Sequence, residues 1–247
     1  MTIFDISFLW FHIAPTYYGL MYVFWFVFWY LIVKRRWVVH KNKIDDLFFY
    51  IFLGVILWWR LGYIIFYNFS EYISDFLSIF RVWEGWMSFH GWVIGVIIAM
   101  LLFARKYKVD FYKLADEVTS VLPIGLWLWR VGNYLNRELL GYSPYNWFLS
   151  VFRDWVWHFP SPLLEAVLEG VILFLILNLV YKKKQFDGQI ASLFLVLYWL
   201  FRIFVEVFFR IPDSHIGYIW WVVSLGTLLS IPMVIWWLYF YCKLQKK

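Results

Sequence analysis

All twelve lysines of this chain fall in four short clusters between long apolar runs, while seven arginines lie outside those clusters, several of them inside the runs. A chain patterned in this way must shield its runs from water and hold guanidinium groups at membrane depth, where an unpaired charge is costly. The clusters are Lys34, Arg35, Arg36, Lys41 and Lys43; Arg105, Lys106, Lys108 and Lys113; Lys182, Lys183 and Lys184; and Lys243, Lys246 and Lys247. With 64% apolar and only 15% charged residues, 247 residues carry more apolar surface than one soluble core can bury. The net charge of +6 comes from juxtamembrane clusters rather than one basic stripe, so it signals topology and anionic-lipid contact and excludes a nucleic-acid partner.

A helix needs about 20 apolar residues to cross a bilayer. Seven runs meet or approach that length: about Pro15 to Val33, Asp46 to Tyr67, Ser88 to Ala104, Leu114 to Leu128, Pro162 to Tyr181, Gln189 to Phe209 and Tyr218 to Cys242. The basic clusters follow the odd-numbered runs, and the positive-inside rule puts them in the cytoplasm. The expected fold is therefore all-α: one polytopic integral membrane domain over 1–247, with seven transmembrane helices, a periplasmic N-terminus and a cytoplasmic C-terminus. A short outer segment, 142–159, joins helices four and five. The opening residues contain Asp5 but no basic residue, so they are expected to form an interfacial segment rather than a cleavable signal peptide. The lone cysteine, Cys242, permits no disulfide within the chain.

In that orientation the stray arginines share a depth. Arg60 lies about 10 Å from the outer end of span two at 1.5 Å per residue, and Arg202 has nearly the same depth in span six. Arg130 follows outward-running span four, and His90 opens span three. Separately paired or snorkelling side chains would account for one such residue, but four cationic or titratable groups at one depth point to an anion basin. Guanidinium forks suit phosphate, and the commonest phosphates at that depth are lipid headgroups. Arg202 and Glu206, four apart, can pair on one helix face, and Arg137 and Glu138 follow Arg130 closely.

The run Arg130-Val-Gly132-Asn133-Tyr-Leu-Asn136-Arg-Glu138-Leu-Leu-Gly141 resembles the R-x-G-N-x-x-N-x-E-x-x-G signature of the prolipoprotein diacylglyceryl transferase family. Further segments are similar to other motifs of that family, in the same order: Tyr18-Gly19-Leu20-Met21-Tyr22, Arg60-Leu-Gly62-Tyr63, Met87-Ser88-Phe89-His90-Gly91, and Phe201-Arg202 with Val205-Glu206. The resemblance implies a bacterial inner-membrane enzyme that moves the diacylglyceryl group of phosphatidylglycerol onto the lipobox cysteine of a prolipoprotein, releasing glycerol phosphate. It implies Arg130 and Arg202 as the phosphate-holding catalytic groups and His90 as the base. Tyr18, Arg60, Asn133, Asn136, Glu138, Gly141 and Glu206 are implied to line or support the substrate pocket. The nucleophile belongs to the substrate. No cofactor or metal is expected, since no His/Cys/carboxylate cluster has ligand spacing. Asp116 also matches a family position, where a solvated helix cap is the expected role.

Three departures bear on function. Tryptophans Trp58, Trp59, Trp86, Trp92 and Trp129 stand beside the matched residues where the family has glycines, adding bulk next to each candidate group. The segment Phe159-Pro160-Ser161-Pro162-Leu163-Leu164-Glu165 is a shifted form of a family motif, with His158 displaced by one place. One extra residue before Arg210 turns it by about 100° on a continuing helix, so it carries no assigned role. The alternative reading is a membrane scaffold of the same fold with its pocket filled by tryptophan. A transporter is a third, less favoured for lack of an inverted repeat.

Overall fold

The computed structural model describes residues 6–8, 11–13, 17–36, 43–67, 89–210, 235 and 242. In chain order the elements are β1 (Ile6–Phe8), β2 (Phe11–Ile13), α1 (Tyr17–Arg36), α2 (Ile44–Tyr67), α3 (Phe89–Tyr107), α4 (Phe111–Thr119), α5 (Leu122–Leu135), β3 (Val151–Arg153), β4 (Val156–His158), α6 (Ser161–Tyr181) and α7 (Gln189–Phe208). They fall into two compact units, 34–115 and the remainder.

The chain is mostly helical, as expected of an all-α fold, and adds two short antiparallel hairpins among the described residues. In β1–β2, Ile6 pairs with Ile13; in β3–β4, Val151 pairs with His158. Asp154 and Trp155 close the second hairpin with φ of 51° and 65°. Positive φ at both turn positions matches the right-handed twist of the strands. The seventh apolar run, Tyr218 to Cys242, lies outside the described residues except for 235 and 242.

Span four differs most from expectation. It is two helices, α4 and α5, parted at Ser120 and Val121. Pro123 supplies the reason: it donates no N–H, and its ring clashes with the carbonyl four residues back, at Thr119, where α4 ends. Arg130 therefore sits inside α5 rather than after a span.

In the 34–115 unit, α2 and α3 run antiparallel. The Tyr107 hydroxyl at the end of α3 donates to Asp46 Oδ2 at the start of α2, 2.5 Å away. Their crossing is built on small residues. A Cβ at Gly54 would lie 2.6 Å from the Gly95 carbonyl oxygen, and one at Gly91 would strike the Trp58 carbonyl oxygen. Removing side chains lets backbones meet, the usual basis of close helix pairs in lipid. Ile44, Leu47, Ile51 and Val55 form the buried face of α2, while Phe49, Phe52, Leu53 and Leu57 are exposed.

In the other unit, Trp25 of α1 lies against Gly125 of α5. Helices α6 and α7 pack through Leu173, Leu177, Ile190 and Phe194. Both are long and apolar enough to cross a membrane. On α6 the exposed residues Val167, Val171, Leu175 and Leu179 recur every fourth position, forming one apolar stripe open to the surroundings.

Asp116 is buried, not solvated. Its carboxylate accepts from the backbone N–H of Gly188 at 2.8 Å and of Ala191 at 2.9 Å, and Lys184 Nζ is 3.5 Å away. It thus caps α7 from another helix, satisfying donors that the first turn leaves open. Gly188 makes the approach possible: its φ of 93° is open to glycine and strained for other residues. Partial burial works against the Lys184 ammonium, yet Asp187 and Asp116 hold its pKa above the ordinary lysine value.

Candidate active site

Helix α6 is not regular. Between Ser161–Glu165 and Leu173–Tyr181, residues Ala166–Ile172 follow a π-helical repeat. Such widened turns often occur at functional sites. Glu165 and Glu169 flank and enter this segment, and both are fully buried. Gly170 brings α5 close, because a Cβ there would lie 2.5 Å from Trp127 Cβ. Arg130, one turn beyond Trp127 on α5, is thereby set opposite the two acids.

The result is a buried cluster of three guanidiniums and three carboxylates. Arg130 reaches Glu165 Oε2 through Nη1 at 3.0 Å and Glu169 Oε2 through Nη2 at 3.0 Å and Nε at 3.1 Å. Arg202, from α7, reaches Glu165 Oε1 at 2.7 Å and Glu206 Oε1 at 2.6 Å, with Glu169 Oε1 at 4.0 Å. Arg210 Nη1 lies 3.6 Å from Glu165 Oε1 and 3.8 Å from Glu206 Oε1. The set is formally neutral. In a low-dielectric interior an isolated charge costs several kcal/mol, so this balance is what allows so many ionised groups to be buried together.

Arg210 is a correction to the sequence reading. The expected rotation assumed a continuing helix, but α7 ends at Phe208 and Phe209 leaves it with φ −130°. The chain then runs alongside Gly141 in a single β-bridge, which returns the Arg210 guanidinium to the cluster. Gly141 is required for this approach: a Cβ there would collide with the Phe209 carbonyl oxygen.

The segment after Arg130 has a structural logic of its own. The N–H of Arg137 donates to the Tyr134 carbonyl at 3.0 Å and that of Glu138 to the Asn133 carbonyl at 2.9 Å. With Arg137 at φ 57°, this is a Schellman turn closing α5, formed without the usual glycine. Asn136 caps the helix through its N–H to Gly132 O. Asn133 is buried one turn from Arg130, and Glu138 is half-buried. The Ser161 hydroxyl then ties Leu139 O to the start of α6 at 2.7 Å.

The structure brings Arg130, Arg202 and Glu206 together and adds Glu165, Glu169 and Arg210. Arg60 is buried on α2 in the 34–115 unit. His90 and Tyr18 lie in the first turns of α3 and α1, and their side chains, like all of Trp86, lie outside the described residues. Trp92 and Trp129 are half-buried.

The family model for prolipoprotein diacylglyceryl transferase matches residues 6–243. The chain belongs to the prolipoprotein diacylglyceryl transferase family. This is a family of membrane enzymes. Relatives named phosphatidylglycerol–prolipoprotein diacylglyceryl transferase include those of Aeromonas salmonicida (44% identical over 232 residues, 90% of this chain and 83% of the relative). The Teredinibacter turnerae protein of that name is 47% identical over 227 residues, covering 88% of this chain and 79% of its own length. That of Escherichia coli O1:K1 is 40% identical over 255 residues, covering 90% and 87%. In this member of the prolipoprotein diacylglyceryl transferase family, the signature run forms the helix bearing Arg130, its Schellman end and the Gly141 contact that sets Arg210.

Proposed function

We propose that the chain transfers the diacylglyceryl group of phosphatidylglycerol to the lipobox cysteine thiol of prolipoproteins in the bacterial inner membrane. The observation that carries this is the convergence of Arg130 and Arg202, from different helices, on shared buried carboxylates. Each terminal guanidinium nitrogen bears two N–H bonds, so a nitrogen engaged with a carboxylate can still offer a hydrogen to phosphate. The substrate sulfur attacks the diacylglyceryl carbon, the C–O bond to phosphate breaks, and glycerol phosphate leaves with the negative charge that Arg130 and Arg202 stabilise. The thiol proton passes to His90. Glu206 orients Arg202; Tyr18, Arg60, Asn133, Asn136, Glu138 and Gly141 line or brace the pocket.

The same reading takes the chain as one integral membrane domain of seven spans, with the N-terminus and residues 142–159 outside. A reporter fused at residue 247 is expected to give cytoplasmic signal. A periplasmic signal there overturns the assignment of depth.

Incubation with phosphatidylglycerol and a lipobox peptide tests the reaction through release of glycerol phosphate. Arg130→Ala is expected to lower turnover by about 10²–10³-fold, the usual cost of a lost group stabilising developing negative charge. Arg153→Ala, at an exposed position, is expected to leave turnover within about twofold. Equal effects of the two substitutions would remove Arg130 from the chemistry. No release from the parent chain would favour the tryptophan-filled scaffold.

A further inference from the structure

The loop and hairpin between α5 and α6 expose aromatic side chains that a water-facing loop would not carry. Trp155 is 91% exposed, Trp147 76% and Phe148 73%, and Phe152 packs across the strands against Trp157 with the rings tilted by 55° and their centroids 5.1 Å apart. Val151 and His158 turn toward the body of the unit, so the Phe152–Trp157 pair faces away from it. The turn itself is revealing. Trp155 adopts φ 65°, where glycine is the cheap residue and a bulky side chain is strained.

We propose that this hairpin is a membrane anchor whose Trp147, Phe148 and Trp155 insert into the lipid–water interface. This rests on the reading that α6 and α7 cross the bilayer. Its depth is fixed by the chain. The hairpin base is held by the Gly141 N–H to Phe159 O and the Tyr145 N–H to Trp157 O, and Phe159 stacks on Phe209 at the end of α7. Ser161, the first residue of α6, is bonded to Leu139. The hairpin therefore hangs at the shared end of two membrane-length helices whose exposed apolar residues, Val167 to Leu179 and Leu200 to Phe208, already require lipid. Indole suits that boundary, since its ring is apolar and its N–H stays hydrated. The Arg153 guanidinium, 3.4 Å from Asp154, also donates to the Arg137 carbonyl at 2.7 Å, tying the hairpin to the end of α5.

The test uses the full chain in phosphatidylglycerol–phosphatidylcholine vesicles. In a Cys242→Ser background, one variant carries a spin label at Asp154→Cys and another at Leu175→Cys, on the α6 stripe. Collisions with oxygen report lipid, and those with a water-soluble nickel chelate report water. The label at 154 is expected to favour oxygen, and Trp147→Ser with Trp155→Ser to raise its nickel collisions several-fold while the label at 175 remains in lipid. A 154 label open to nickel in the parent, with 175 in lipid, overturns the anchor alone, even if the double variant fails to fold. If 175 also reports water, the bilayer reading falls with it. Shielding of 154 only when lipobox peptide is added would assign the patch to the peptide and overturn the proposal.

Discussion

Glu165→Ala is expected to destabilise the chain by about 3–5 kcal/mol, the cost of breaking a buried ion pair from one side. The carboxylate is fully buried and lies 3.0 Å from Arg130, 2.7 Å from Arg202 and 3.6 Å from Arg210. Without it three guanidiniums face one another, with Glu169 and Glu206 left to balance them. Glu165→Gln retains the shape and should fall between parent and alanine variant. Thermal unfolding in detergent measures the loss; a Glu165→Ala midpoint equal to the parent's would show that the arginines do not depend on this acid. Turnover of the folded fraction should fall at least as far as in Arg130→Ala, because more than one arginine loses its anchor.

Gly95→Leu should be among the most damaging changes at the described positions of the 34–115 unit. A Cβ at this position would collide with the Gly54 carbonyl oxygen and lie 2.8 Å from Trp58 Cβ, so the clash is with backbone as well as side chain. Overpacking costs typically about 1–3 kcal/mol, and an immovable carbonyl puts this site at or above the top of that range. Ile97→Leu, two residues on and exposed on another side of α3, is the control and should leave the unfolding midpoint unchanged. A tolerated Gly95→Leu would mean that α2 and α3 can separate without loss.

What the sequence revealed about the cluster followed from applying the cost of buried charge to one sign only. Arginines inside apolar runs were conspicuous, and Arg202 with Glu206 followed from helical spacing. Glu165 and Glu169 carry the same signal: two acids four apart in an apolar run must find cations. Together with the arginines they complete the cluster. Arg210 falls outside the cluster only on a helix that continues past Phe208, and Pro212 disfavours helix just before it. The break in span four was also legible, since Pro123 forbids the bond that would join α4 to α5. The hairpin was harder to see. Val151 to His158 alternates poorly, and its turn has Asp-Trp where Asp-Gly would have announced it.

The divided fourth segment also bears on bilayer thickness. Fourteen residues of α5 rise about 21 Å, against about 30 Å for a hydrocarbon core. The 21-residue α6 beside it would rise about 31 Å as a regular α-helix, and its π-helical stretch shortens it somewhat. On the proposed seven-span reading, the helix that carries Arg130 is thus up to about one-third shorter than its neighbour, and amphipathic α4 or a dimple in the surrounding lipid makes up the difference. Hydrophobic mismatch of this size costs fractions of a kcal/mol per Å. On that reading, acyl-chain length in the host membrane acts on this protein mechanically, through the height of one helix, as well as through the lipid it consumes.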